Sequence, residues 1–125
     1  MLRAKLHRLV TTSADVKYEG SLTLPPYLME AADIVEYEAV SIWNVTRGTR
    51  LETYAITGKP DDPSVCANGA AAHLVHPGDE LIVACFVDVP EKDVRTHRPK
   101  LVFVDDSNRI KHFGPEIPGP ALRSH

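Results

Sequence analysis

The sequence predicts a mainly β protein, a small barrel with one or two short helices. Two observations carry this. Leu2, Ala4 and Leu6 alternate with Arg3, Lys5 and His7, the period of two expected of a half-buried strand. Runs rich in Val, Ile, Tyr, Trp and Phe then recur at 40–45, 50–57, 81–89 and 100–104, each bounded by turn residues.

Taken in order, the first strand loses its phase at Arg8, before Leu9 and Val10, which predicts a bulge there. Residues 21–24 are β-prone. Pro25-Pro26 followed by Tyr27-Leu28-Met29-Glu30-Ala31-Ala32 suits a helix entry, because proline is tolerated in the first turn and good helix formers follow. Arg47-Gly48 separates the next two strands as a turn, and 70–74 is read as a second short helix. Pro77-Gly78-Asp79 and Asp105-Asp106-Ser107-Asn108 bound the last two strands. From Phe113 onward Pro115, Pro118 and Pro120 are interleaved with Gly114 and Gly119, and after Ile117 only Ala121 and Leu122 are apolar. Residues 113–125 are therefore expected to form a flexible tail of a single domain spanning 1–125.

The 125 residues carry 14 Lys and Arg against 17 Asp and Glu, a net charge of −3. Broad adhesion to nucleic acid or an anionic membrane needs a concentrated cationic excess, so neither is expected as a partner. No apolar run approaches the roughly 20 residues of a membrane span, and the opening residues lack the apolar core of a secretory signal, so the chain reads as cytoplasmic. Cys66 and Cys85 show no CxxC spacing and sit among Val, Ala and Phe, which reads as two small buried hydrophobes. Cys66, His73 and His76 invite a zinc reading. Yet HExxH is absent and Pro77 disfavours helical geometry at His76, so no metal is expected. No phosphate-cradling, dinucleotide-binding or serine-hydrolase glycine motif occurs either.

Four short blocks point further. Tyr18-Glu19-Gly20-Ser21, Ile42-Trp43-Asn44-Val45-Thr46, Thr53-Tyr54-Ala55-Ile56 and Asn68-Gly69-Ala70-Ala71-Ala72-His73 are each unremarkable alone: Gly-Ser is a common turn pair, and Tyr54 could be a packed strand aromatic. In this order and approximate spacing they make the chain resemble the bacterial, pyruvoyl-dependent aspartate 1-decarboxylases, over roughly residues 1–104. One departure is Arg47, where family members often have Asn; it is expected to alter a hairpin turn and leave the chemistry alone.

Amino-acid decarboxylation leaves a carbanion, and no ordinary side chain offers the carbonyl that could accept its electrons. The chain shows no recognisable pyridoxal-phosphate site. The resemblance implies instead a covalent pyruvoyl group made from Ser21, with self-cleavage between Gly20 and Ser21 into residues 1–20 and 21–125. Gly20 lacks Cβ, which permits unusual torsions and close attack on its carbonyl. The resemblance further implies decarboxylation of L-aspartate to β-alanine through a Schiff base on the Ser21-derived group, serving pantothenate and coenzyme A synthesis.

Residue by residue, the resemblance makes Tyr54 the proton donor, a role open to a phenol because it is neutral at pH 7. It makes Arg50 the group that holds a substrate carboxylate, Lys5 a second cation, and Thr53 a candidate donor to the cleavage oxyanion. Asn68, Gly69, Ala70 and Ala71 match the segment that meets substrate through backbone groups and small side chains. Arg50 could otherwise be a surface ion pair and Lys5 an ordinary exposed strand lysine. Strand alternation puts Arg50 and Tyr54 on one face and Thr53 on the other, so either the strand bulges or different subunits supply the two faces. The resemblance favours the second through a homotetramer of double-psi β-barrels with sites between subunits. Dependence on a maturation factor is left open. The alternative is an unprocessed β-barrel binding module without catalytic activity.

Overall fold

A computed structural model describes residues 1–119. Its strands are β1 (Leu2–Val10), β2 (Ser13–Asp15), β3 (Ser21–Leu24), β4 (Ala39–Asn44), β5 (Thr49–Thr57), β6 (Cys66–Asn68), β7 (Glu80–Phe86), β8 (Lys100–Val104) and β9 (Ile110–Phe113). The one α-helix, α1, covers Pro26–Ala32, with 3-10 turns at Gly69–His73 and Glu91–Asp93. None of the helices in the described residues is long and apolar enough to cross a membrane.

The strands form one mixed sheet in the order β2-β6-β3-β5-β4-β7-β1-β8-β9. The pairs β1–β8, β2–β6 and β3–β5 are parallel and join segments far apart in sequence; the other pairs are antiparallel. The sheet is not closed by hydrogen bonds between its edges, yet it wraps a single core as a small mainly β barrel does. Leu6, Leu9, Leu22, Leu24, Leu28, Ile42, Val83 and Val102, from six elements, are fully buried in one cluster. Each such side chain contributes about 1.5–3 kcal/mol of burial free energy.

Where the ladder is missing, side chains tie the ends together. Asn108 is buried; its Oδ1 accepts the Val10 N–H at 2.7 Å while its Nδ2 donates to the carbonyls of Val10 and Pro63, both at 2.9 Å. The Tyr27 hydroxyl donates to the Asn108 carbonyl. The β8–β9 turn, the end of β1, the helix and the loop before β6 are thereby locked to one residue.

The bulge expected at Arg8 is present: its φ is +70°, and the β1–β7 register shifts between His7 and Leu9. The helix starts with proline in its first turn, as expected, and stops at Asp33, whose φ of 59° ends the right-handed path. The strand expected at 81–89 ends earlier, at Phe86, short of Pro90. Three strands were not foreseen, β2, β6 and β9. With three or four residues each, they are too short to show a period. Because β9 includes Phe113, the last strand overlaps the start of the expected tail; residues 120–125 of that segment lie outside those described.

Candidate active site

Ser21 is the first residue of β3, and β3 lies between β5, to which it is parallel, and β6, to which it is antiparallel. Leu22 and Leu24 point into the core, so alternation turns Ser21 and Thr23 to the outer face. On that face Ser21 is nevertheless only 5% exposed. It borders a cavity of about 820 Å³ whose floor is the outer face of β2, β3, β5 and β6, with Lys17, Tyr18 and Glu19 along one side.

Asn68 stands directly opposite Ser21 in the β3–β6 pair. Its Nδ2 donates to Ser21 Oγ at 3.1 Å and to Thr23 Oγ1 at 3.0 Å. Tyr54, on the neighbouring β5, lines the same cavity and meets the Tyr37 ring at 6.2 Å between centroids. A serine hydroxyl, an amide donor on its oxygen and a phenol are thus gathered on one surface.

Gly69 explains how the chain is held at Gly20. Its φ is +62°, and a Cβ built there would lie 2.5 Å from the Gly20 nitrogen and 2.6 Å from the Tyr18 carbonyl oxygen. Only glycine fits. Gly20 itself has no left-handed φ, and a Cβ there would meet only the Ala70 nitrogen, at 3.9 Å. The unusual torsion expected at Gly20 therefore resides in Gly69, across the contact. Ala70 and Ala71 continue the same 3-10 turn, and Asn68, Gly69 and the Ala70 nitrogen lie against Gly20 and Ser21.

The remaining sequence-predicted residues lie elsewhere in the chain. Arg50 is four residues before Tyr54 on β5, about 13 Å along an extended strand; its guanidinium sits 5.2 Å from the Trp43 ring centroid, beside a separate hollow. Thr53 lines a third, shallower hollow with Tyr37, Ala39, Glu52 and Tyr54. Lys5 is on β1, four places from β3 in the sheet order, with its ammonium on the Glu116 carboxylate at 2.6 Å. One chain therefore assembles Ser21, Asn68 and Tyr54 but leaves both cations outside. Arg47, the departure from the family pattern, is in the β4–β5 turn, bound to Asp79 at 2.7 Å and away from the cavity.

Several residues of this surface escaped the sequence reading, among them Lys17, Thr23, Tyr37 and Cys66. Thr23 was findable, since residues two apart on a strand share a face. Tyr37 and Cys66 were not, because only tertiary pairing brings them to Ser21. Cys66 corrects an expectation: it is half-exposed and free, lines the cavity and accepts a hydrogen bond from Ser13 Oγ at 2.8 Å. Cys85 is buried as expected, and burial pushes its thiol up to about 11. Among the described residues no three His, Cys, Asp or Glu side chains are grouped to hold a metal ion. A second cavity of about 870 Å³, lined by Leu2, Leu101, Phe113 and Pro115 with Arg98, Lys100 and Glu116, contains none of the site residues.

The aspartate decarboxylase family model matches residues 1–111, past the 1–104 expected from the motifs. The chain is 63% identical to the aspartate 1-decarboxylase of Rhodopirellula baltica over 99% of its own length and 80% of that protein. It is 54% identical to the enzyme of that name from Legionella pneumophila strain Lens, over 93% and 87%, and 50% identical to that of Myxococcus xanthus, over 99% and 96%. On this similarity along nearly its whole length, the chain belongs to the aspartate decarboxylase family.

Proposed function

We propose that this chain cuts itself between Gly20 and Ser21, converts Ser21 into a pyruvoyl group and decarboxylates L-aspartate to β-alanine in the cytoplasm, feeding pantothenate and coenzyme A synthesis. The observation that carries the reading is the Asn68 Nδ2 to Ser21 Oγ hydrogen bond of 3.1 Å beside a cavity that Tyr54 also lines.

Self-cleavage asks the Ser21 oxygen to attack the Gly20 carbonyl, moving the acyl group from nitrogen to oxygen. Loss of the Ser21 Cα proton to solvent then breaks the Cβ–O bond, leaving a carboxylate on Gly20 and a dehydroalanine at 21, and one water replaces one ammonia at its Cα to give the ketone. An amide donor on Oγ stabilises negative charge on that oxygen both when it attacks and when it leaves. The site suits a cut: Ser21 opens β3, so scission before it leaves Leu22–Leu24 paired with β5 and Leu22 and Thr23 paired with β6.

The group so formed supplies a ketone that takes up the substrate amine and accepts the electrons released with carbon dioxide. Tyr54, on the cavity wall, would deliver the proton to the substrate carbon. Asn68 and the backbone of Gly69, Ala70 and Ala71 would orient the substrate. L-Aspartate carries two carboxylates; Lys17 borders this cavity, but Lys5 and Arg50, the cations the resemblance implies, stand away from it within one chain. This supports a homotetramer in which Lys5 and Arg50 of a second copy complete the pocket.

Intact-mass measurement of the purified protein tests the reading. Two species, residues 1–20 and residues 21–125 with a pyruvoyl start, are expected, while Ser21→Ala stays whole and inactive. A wild-type chain that decarboxylates aspartate while entirely uncut overturns the mechanism; a chain that neither cleaves nor turns over aspartate fits the binding module instead.

A further inference from the structure

Asn68 has two amide N–H groups and both are committed, one to Ser21 and one to Thr23 at 3.0 Å. Thr23 faces the same cavity and sits diagonally across the β3–β6 pair from Asn68. Rotation about the last bond of an asparagine side chain is otherwise broad, so a single contact to Ser21 would leave the amide poorly aimed. Thr23 is itself constrained. Its methyl packs against Gly58, where a Cβ would come within 3.3 Å of it, and a β-branched side chain has few alternatives at χ1. The hydroxyl is left facing Asn68.

We infer that Thr23 is a positioning residue for self-cleavage: its hydroxyl fixes the Asn68 amide so that Nδ2 points at Ser21 Oγ. This rests on the processing reaction proposed above and adds to it a residue that touches neither the scissile bond nor the substrate amine. The physical content is narrow. An amide donor stabilises charge on the attacking oxygen only while aimed at it, and Thr23 restrains the second proton of the same nitrogen. Asn68 then keeps its aim without any contact of Thr23 to the Gly20 carbonyl.

Thr23→Val keeps the shape and strand propensity but removes the acceptor, and Thr23→Ser keeps the acceptor but removes the methyl. Full-length precursor, made freshly and followed by intact mass over time, gives the cleavage rate, and thermal unfolding of the same samples gives stability. Thr23→Val is expected to slow cleavage by about three- to tenfold, the rate equivalent of one neutral hydrogen bond, while unfolding cooperatively with no greater stability loss than that one bond explains. Thr23→Ser should cleave within about twofold of wild type. If Thr23→Val is cut as fast as wild type, or both variants slow equally, Thr23 does no positioning through its hydroxyl. Wild type and Ser21→Ala run beside them separate the two readings. A wild type that cuts while Ser21→Ala does not, with Thr23→Val unimpaired, removes only the inference about Thr23; a wild type that never cuts removes both.

Discussion

The Lys5 ammonium lies 2.6 Å from the Glu116 carboxylate, and while the lysine side chain is 11% exposed the glutamate is 49% exposed. The second cation that the family resemblance implies at the site is thus already paired within its own chain. An ion pair with one half-exposed partner is worth under about 1 kcal/mol. Glu116→Gln is expected to lower the KM for aspartate by up to about fivefold with kcat unchanged. Steady-state kinetics with an unchanged KM would show that Glu116 does not compete for Lys5.

Tyr54→Phe keeps the ring that packs on Tyr37 and removes only the hydroxyl. Substrate attachment should survive, and product formation in a single turnover should fall by about a hundredfold or more. Rapid-quench measurement of both steps decides it, since a wild-type rate of protonation takes the role away from Tyr54.

Gly69→Ala puts a Cβ 2.5 Å from the Gly20 nitrogen on a residue with φ of +62°. The torsion costs about 1–2 kcal/mol, and the clash adds to it by pushing on the Gly20–Ser21 bond. Gly48→Ala is the control, because its φ is +73° but nothing lies within 4 Å of the added methyl. Both variants should melt lower, Gly69→Ala by more, and only Gly69→Ala should cleave slowly. Equal melting losses with normal cleavage in both would mean that Gly69 does not hold the scissile segment.

Asp79 is 3% exposed, and burial works to raise its pKa. Hydrogen bonds from Asn44 Nδ2 at 2.8 Å and the His76 N–H at 2.9 Å, together with the Arg47 guanidinium at 2.7 Å, outweigh burial and hold the carboxyl below the usual range. A folded pKa below the unfolded one gives stability that is complete above the unfolded value, about 3.9, and is lost as pH falls through the folded value. Asp79→Asn should cost about 1.5–3 kcal/mol at pH 7 and flatten the acid side of the stability curve. Denaturant unfolding between pH 3 and 7 reads both, and an unaltered acid slope in the variant would remove Asp79 from that transition.

Much of the molecule was legible from residue order. The alternation of β1, its break at Arg8, the proline-led helix and four long strands follow from local chemistry, because a period of two, a fixed φ and a missing N–H act within a few residues. The motif around Ser21 was legible only through the family resemblance, and Thr23, which the sequence reading passed over, was findable once Ser21 was placed on a strand face. The strands β2, β6 and β9 were not, since three or four residues carry no period and form only because a partner strand is already there.

Residue order by itself determined the β character, the helix and the chemical inventory: a Gly-Ser pair, a tyrosine, an asparagine and two cations in family spacing. Tertiary structure decided which of these meet. It brought Asn68 across 47 residues to Ser21 and placed Tyr54 on the same wall, while leaving Arg50 and Lys5 on other surfaces. The reason is that strand pairing between distant segments is set by which faces must be buried together in one core, and that is a property of the whole sheet rather than of any one stretch of chain.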